Sequence, residues 1–157
     1  MADLSIKTSS PTDTEQLGEQ LGRLFRPGDR IYLTGSLGAG KTCLVRGAAR
    51  GWGAVERPTS PTFTLINEYH RPDGARLYHA DCYRLSGTAD AISTGLEDAL
   101  NSDGIMVIEW ADRVKELLPA DALWIAIEDQ GDTRRAFQIS ATGQRASEIL
   151  SNLPRWH

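Results

Sequence analysis

Eight consecutive residues, Gly35-Ser36-Leu37-Gly38-Ala39-Gly40-Lys41-Thr42, fit the pattern G-x-x-x-x-G-K-[ST]. Residues of these types at this spacing suit one task, which is to wrap backbone around phosphate oxygens. Successive N–H groups at a helix start, where the peptide dipoles add, form a cradle for anions. Gly38 and Gly40 permit torsions and close approaches that a Cβ blocks. The Lys41 ammonium is placed to reach the β- and γ-phosphates of a nucleotide, and the Thr42 hydroxyl to ligate Mg²⁺. Cys43 follows at once and completes a nucleotide-binding stretch of residues 35–43.

Cleaving or moving a γ-phosphoryl group needs the cation held from a second side and a polar group that places the nucleophile. Two carboxylates qualify. Glu109 ends the apolar run Ile105-Met106-Val107-Ile108, the position of a metal-binding acid at the carboxyl end of a central strand. Asp81 shares a strand face with His79 and Tyr83 because side chains alternate with period two, and a solvated edge face would show the same pattern. Which acid touches the metal first is open on residue pattern alone. Arg84, Arg134 and Arg135 are each open to a phosphate contact or an ordinary ion pair. Trp110 suits either the site or the core.

The elements that must position these residues follow from the pattern. Leu4, Ile6 and Thr8 alternate like a strand, and Ser10-Pro11-Thr12 with Glu15 predicts a capped helix start, followed by Leu17, Leu21, Leu24 and Phe25 on one face. After the turn Pro27-Gly28-Asp29, residues 30–34 form a buried strand that runs into the glycine-rich segment, and a helix is predicted from about Lys41 to Trp52. Residues 53–61 are a loop. Residues 64–70 and 76–83 predict a β-hairpin around Arg71-Pro72-Asp73-Gly74-Ala75. Helical pattern over 89–101, divided at Gly95, precedes the strand 105–108. Helix 112–118, strands 123–128 and 135–140 about Gly131, and a closing helix 146–153 complete the chain. The fold class is α/β: a three-layer P-loop NTPase sandwich with a mostly parallel sheet and an inserted antiparallel hairpin.

The 157 residues suit a single P-loop domain spanning 1–157, and 40% apolar with 24% charged residues suits a globular core. A formal net charge of -4 argues against a broad phosphate-neutralising surface, so direct, strong nucleic-acid binding is not expected. Neither a membrane-spanning run nor a signal-peptide layout is visible, which predicts a cytoplasmic protein. Cys43 and Cys82 offer no disulfide framework or metal spacing and are expected to be packing residues. Guanine-reading Asn-Lys-x-Asp and switch Asp-x-x-Gly patterns are absent from the sequence, which excludes an ordinary GTPase switch. A small-metabolite kinase remains a competing reading, although the hairpin stands where its next parallel strand is expected. A nucleotide-gated adaptor that never turns over is another.

Leu37-Gly38-Ala39-Gly40-Lys41-Thr42, Ser60-Pro61-Thr62-Phe63, His79-x-Asp81-x-Tyr83-Arg84 and Ile108-Glu109-Trp110 follow one another in order. Together they resemble the TsaE (YjeE) family over nearly the whole chain, and H-x-D-x-Y-R is the element most specific to it. The resemblance implies a small Mg²⁺-dependent ATPase of bacterial tRNA threonylcarbamoyladenosine synthesis. ATP would lie on Gly35 to Thr42, Mg²⁺ on Thr42 and Glu109, and Asp81 would be the second acid, so that Lys41, Asp81 and Glu109 form the catalytic set. The loop from Ser60 to Thr64 would respond to nucleotide. Implied partners are TsaB and TsaD, with tRNA met only through their complex and no membrane involved. Hydrolysis would be weak alone and would reset or remodel that complex. Cys43 departs from the second Thr or Ser of many relatives, so no hydroxyl role transfers to it.

Overall fold

The structure, a computed structural model, describes residues 3–35, 39–55, 66–82 and 96–153. In chain order the strands are β1 (Leu4–Thr8), β2 (Arg30–Gly35), β3 (Ile66–His70), β4 (Arg76–Asp81), β5 (Ile105–Glu109), β6 (Leu123–Asp129) and β7 (Arg135–Ala141). The helices are α1 (Pro11–Arg23), α2 (Ala39–Trp52), α3 (Leu96–Leu100) and α4 (Gln144–Asn152), with a 3-10 helix over Ala111–Leu117.

Among the described residues, one seven-stranded sheet runs in the order β1-β7-β6-β2-β5-β4-β3. The neighbours β6–β2, β2–β5 and β5–β4 are parallel, whereas β1–β7, β7–β6 and β4–β3 are antiparallel. A parallel core is thus flanked by antiparallel edges. The predicted hairpin forms, from Ile66↔Ala80 to His70↔Arg76, but β4 is an interior strand paired on its other side with β5. The row containing His79 and Asp81 is therefore not a solvated edge.

Helices cover both faces. Ile31, Leu33, Ile105 and Val107 pack with Leu17, Leu21, Leu44, Ala48, Ala146 and Ile149 from α1, α2 and α4. Tyr32, Met106 and Ile108 pack with Leu96, Leu100, Ala111 and Val114 on the other side. Strands buried on both faces need continuous apolar runs, which is what β2 and β5 supply.

Helix α1 begins at Pro11, with Ser10 as N-cap accepting from the Asp13 N–H at 3.1 Å. Asp13 reaches back to the Ser9 N–H, so the returning acid is Asp13 and not Glu15. Glu15 sits too far into the helix for that and crosses to α2, meeting Arg46 at 3.2 Å and Arg50 at 2.6 Å. These half-exposed ion pairs orient α2 more than they stabilise it. Direct backbone contact holds the two helices together. A Cβ added at Gly18 would lie 2.3 Å from the Leu44 carbonyl oxygen, and one at Gly47 would lie 2.1 Å from that of Glu15.

The helix expected over 112–118 is a 3-10 helix, Ala111–Leu117, kinked at Val114 (φ -129, ψ 25). Of the predicted helix 89–101, residues 96–101 are described and Leu96–Leu100 are helical. The Ser60 to Thr64 loop, Tyr83 and Arg84 lie outside the described residues. No helix among the described residues is long and apolar enough to cross a membrane. Cys43 and Cys82 are buried free thiols, as packing residues should be, and burial pushes the Cys82 thiol up to about 12.

Candidate functional site

Parallel pairing brings the carboxyl ends of β2, β5 and β4 to one edge of the sheet, where ligands bind in open α/β folds. β2 ends at Gly35, whose φ of +113 suits glycine, and a Cβ there would lie 2.1 Å from the Ile127 carbonyl oxygen. The chain resumes in α2 with Ala39, Gly40, Lys41, Thr42 and Cys43. Ser36, Leu37 and Gly38 lie outside the described residues. Thr42 is half-buried in the first turn, whereas the Cys43 side chain is buried.

Lys41 is only 2% exposed although it is a cation. Its Nζ donates to the Gly35 carbonyl oxygen at 3.1 Å and stands 4.0 Å from the centroid of the Trp110 ring. Burial pulls the ammonium below its ordinary range, while the charges of Glu109, Asp81 and Asp112 oppose that pull. Glu109 and Asp81 stand opposite each other in register at the ends of β5 and β4. Three of the predicted side chains, Lys41, Asp81 and Glu109, thus meet beside the start of α2.

Two further features sit at this edge. Trp110 has φ 58 and ψ 39, a left-handed conformation costing of order 1–3 kcal/mol for a bulky residue. That turn swings the ring over Lys41, so Trp110 belongs to the site as well as to the packing around it. On the far side of α2, a Cβ at Gly40 would come within 3.2 Å of the Arg135 Nε. Arg135 is held over the helix start by its Nη1, which donates to Asp129 Oδ1 and to the carbonyls of Asp132 and Arg134. The first turn of α2 carries no acid, so Lys41 and Arg135 add to the positive end of the helix dipole. The structure separates two arginines that sequence leaves equivalent: Arg135 abuts the helix start, and Arg134 is exposed on the turn.

The oxygen donors fit a hard cation. Thr42 offers a hydroxyl and Glu109 and Asp81 offer carboxylates, while no cluster of three or more His, Cys, Asp or Glu among the described residues could cage a metal alone. That pattern suits Mg²⁺, which keeps several waters and binds one or two protein oxygens plus phosphate. Behind Glu109, the His79 Nε2 lies 2.5 Å from its Oε2. Sequence spacing set His79 on the face of Asp81 but gave no signal for this bond to a different strand.

The family model described as "Threonylcarbamoyl adenosine biosynthesis protein TsaE" matches residues 8–137. The chain belongs to the TsaE family. A tRNA threonylcarbamoyladenosine biosynthesis protein TsaE from Bacillus subtilis (strain 168) is 36% identical over 156 residues, covering 99% of this chain and 96% of the relative. Its namesake from Treponema pallidum (strain Nichols) is 40% identical over 131 residues, covering 83% and 96%. The fold agrees as well. The crystal structure of Bacillus subtilis YdiB superposes with a TM-score of 0.79 at 34% identity, over 97% of this chain and 94% of that one. The match 8–137 takes in Lys41, Asp81, Glu109, Trp110 and Arg135, so the whole constellation described above lies within the TsaE-family region.

Proposed function

We propose that this chain binds and hydrolyses ATP with Mg²⁺ as an accessory protein of tRNA threonylcarbamoyladenosine biosynthesis. The observation that carries the reading is the convergence of Lys41, Asp81 and Glu109 beside the start of α2, in a chain of the TsaE family. Backbone N–H groups of residues 35–43 bind the phosphates, and Lys41 neutralises the β- and γ-phosphate oxygens. The ammonium has three donors, so it can bind phosphate while keeping the Gly35 carbonyl. Arg135 adds a second cation at the same helix end. Thr42 and Glu109 hold Mg²⁺, which when bound offsets charge developing on the transferred phosphoryl group. Asp81, the second acid, orients the attacking water.

The output of hydrolysis is a reset or remodelling of a TsaB–TsaD complex, which is why turnover alone is slow. The protein meets tRNA through that complex, in keeping with its net charge of -4, and works in the cytoplasm. The test is phosphate release by Glu109→Gln and Asp81→Asn beside wild type, with the partners present. Each variant is expected to fall by at least about a hundredfold, the scale on which positioned electrostatic groups act. Release at the wild-type rate by either would remove that residue from the assignment. Arg135→Ala is expected to weaken ADP binding about tenfold, by loss of one charge-assisted contact, while Arg134→Ala leaves it unchanged in equilibrium titration.

A further inference from the structure

His79 and Asp81 of the H-x-D spacing on β4 lie on the same face of the sheet as Glu109, yet only Asp81 has a role in the hydrolysis described above. His79 is 1% exposed and sits one pleat behind Asp81, diagonal to Glu109, because the register pairs His79 with Val107 and Asp81 with Glu109. Its Nε2 is 2.5 Å from Glu109 Oε2, and its buried Nδ1 has no hydrogen-bond partner among the described residues. These two facts favour one tautomer over the other. With the proton on Nε2, the ring donates to the carboxylate and buries only a lone pair at Nδ1. With the proton on Nδ1, a lone pair would face a carboxylate oxygen and an N–H donor would be orphaned in the interior, which costs more.

We infer that His79 is a positioning residue for Glu109: its Nε2–H holds one carboxylate oxygen, Oε2, and so presents the other, Oε1, to Mg²⁺ in the nucleotide site. The inference rests on the reading of Glu109 as the metal acid. Hydrogen bonds from such outer residues commonly govern metal affinity by 10- to 100-fold, because an unheld carboxylate samples rotamers that do not ligate. Core packing alone would not call for a ring nitrogen at this spot, since Leu77 on the same face of β4 is fully buried and apolar.

The test measures the Mg²⁺ concentration that half-saturates tight binding of a fluorescent ADP, alongside ADP affinity in excess EDTA. His79→Met withdraws the donor at similar length. His79→Gln returns an N–H near the Nε2 position, and His79→Asn keeps an amide too short to reach Glu109. Met and Asn are expected to raise the half-saturating Mg²⁺ at least tenfold, Gln by threefold or less, and all three to keep metal-free ADP affinity within twofold. Should the Met variant not fold, Gln against Asn carries the same comparison. Glu109→Gln is titrated in parallel, and His79→Met in that background is expected to add nothing. A shift in Glu109→Gln without one in the Met or Asn variants overturns the role of His79 and leaves the metal reading intact. No shift in Glu109→Gln itself overturns the metal reading first.

Discussion

Lys41→Met is expected to lower ATP affinity about a hundredfold and to leave the protein folded. On the proposed reading, the affinity loss follows from withdrawing the cation that would face phosphate oxygens in a water-poor site, where such contacts contribute about 3 kcal/mol. The folded state should tolerate the change because burial already disfavours the charge, and the thioether occupies nearly the same space against Trp110. Calorimetric titration with ATP and a thermal melt read the two effects separately. A melt within a few degrees of wild type with binding lost is the expected pair. Binding retained within threefold would mean that phosphates do not meet Lys41. A melt lowered by ten degrees or more would mean that its bond to Gly35 and the charges of Glu109 and Asp81 hold the fold itself.

The second large effect is on stability. Gly22→Ala would set a Cβ 2.0 Å from the Ala48 carbonyl oxygen, 2.8 Å from its carbon and 2.9 Å from the Trp52 nitrogen. All three are backbone atoms, so no side chain can rotate away and the helices must separate. Overpacking of this kind costs about 3 kcal/mol, which for a domain of this size lowers the melting temperature by about 10 °C. Gly74→Ala is the control. Gly74 has φ +87 with nothing among the described residues within 4 Å of the added carbon, so it suffers only the left-handed backbone strain of about 1 kcal/mol. Urea titration of both variants should rank them in that order, and equal losses would contradict close packing of α1 on α2. The interface bears on the site because α2 carries Lys41 and Thr42 in its first turn.

Much of this site is legible in the sequence because its chemistry is local. Gly35 to Thr42 is contiguous, and a buried strand before it with a helix after it is enough to orient Lys41. Glu109 announces itself by ending an apolar run that has to be a central strand. The hairpin is visible from its turn residues. What sequence leaves dark depends on contacts between distant segments. Pairing of β1 with β7 has no short-range signature, and neither does the approach of Arg135 to Gly40. The bond from His79 to Glu109 needs the β4–β5 register, which alternation by itself does not supply. The left-handed turn at Trp110 is likewise invisible, because a Trp at a strand end does not favour it. One long-range contact does carry a sequence signature. Gly18 and Gly22 on α1, with Gly47 and Gly51 on α2, repeat at the spacing that lets two helix backbones touch.

The most direct test of the ATPase reading is phosphate release from ATP by the wild-type protein, measured alone, with TsaB and TsaD, and with each mixture repeated in EDTA. Slow release alone, stimulated by the partners and abolished by EDTA, is the predicted result. ATP binding without phosphate release in any mixture would contradict hydrolysis and leave a nucleotide-gated adaptor.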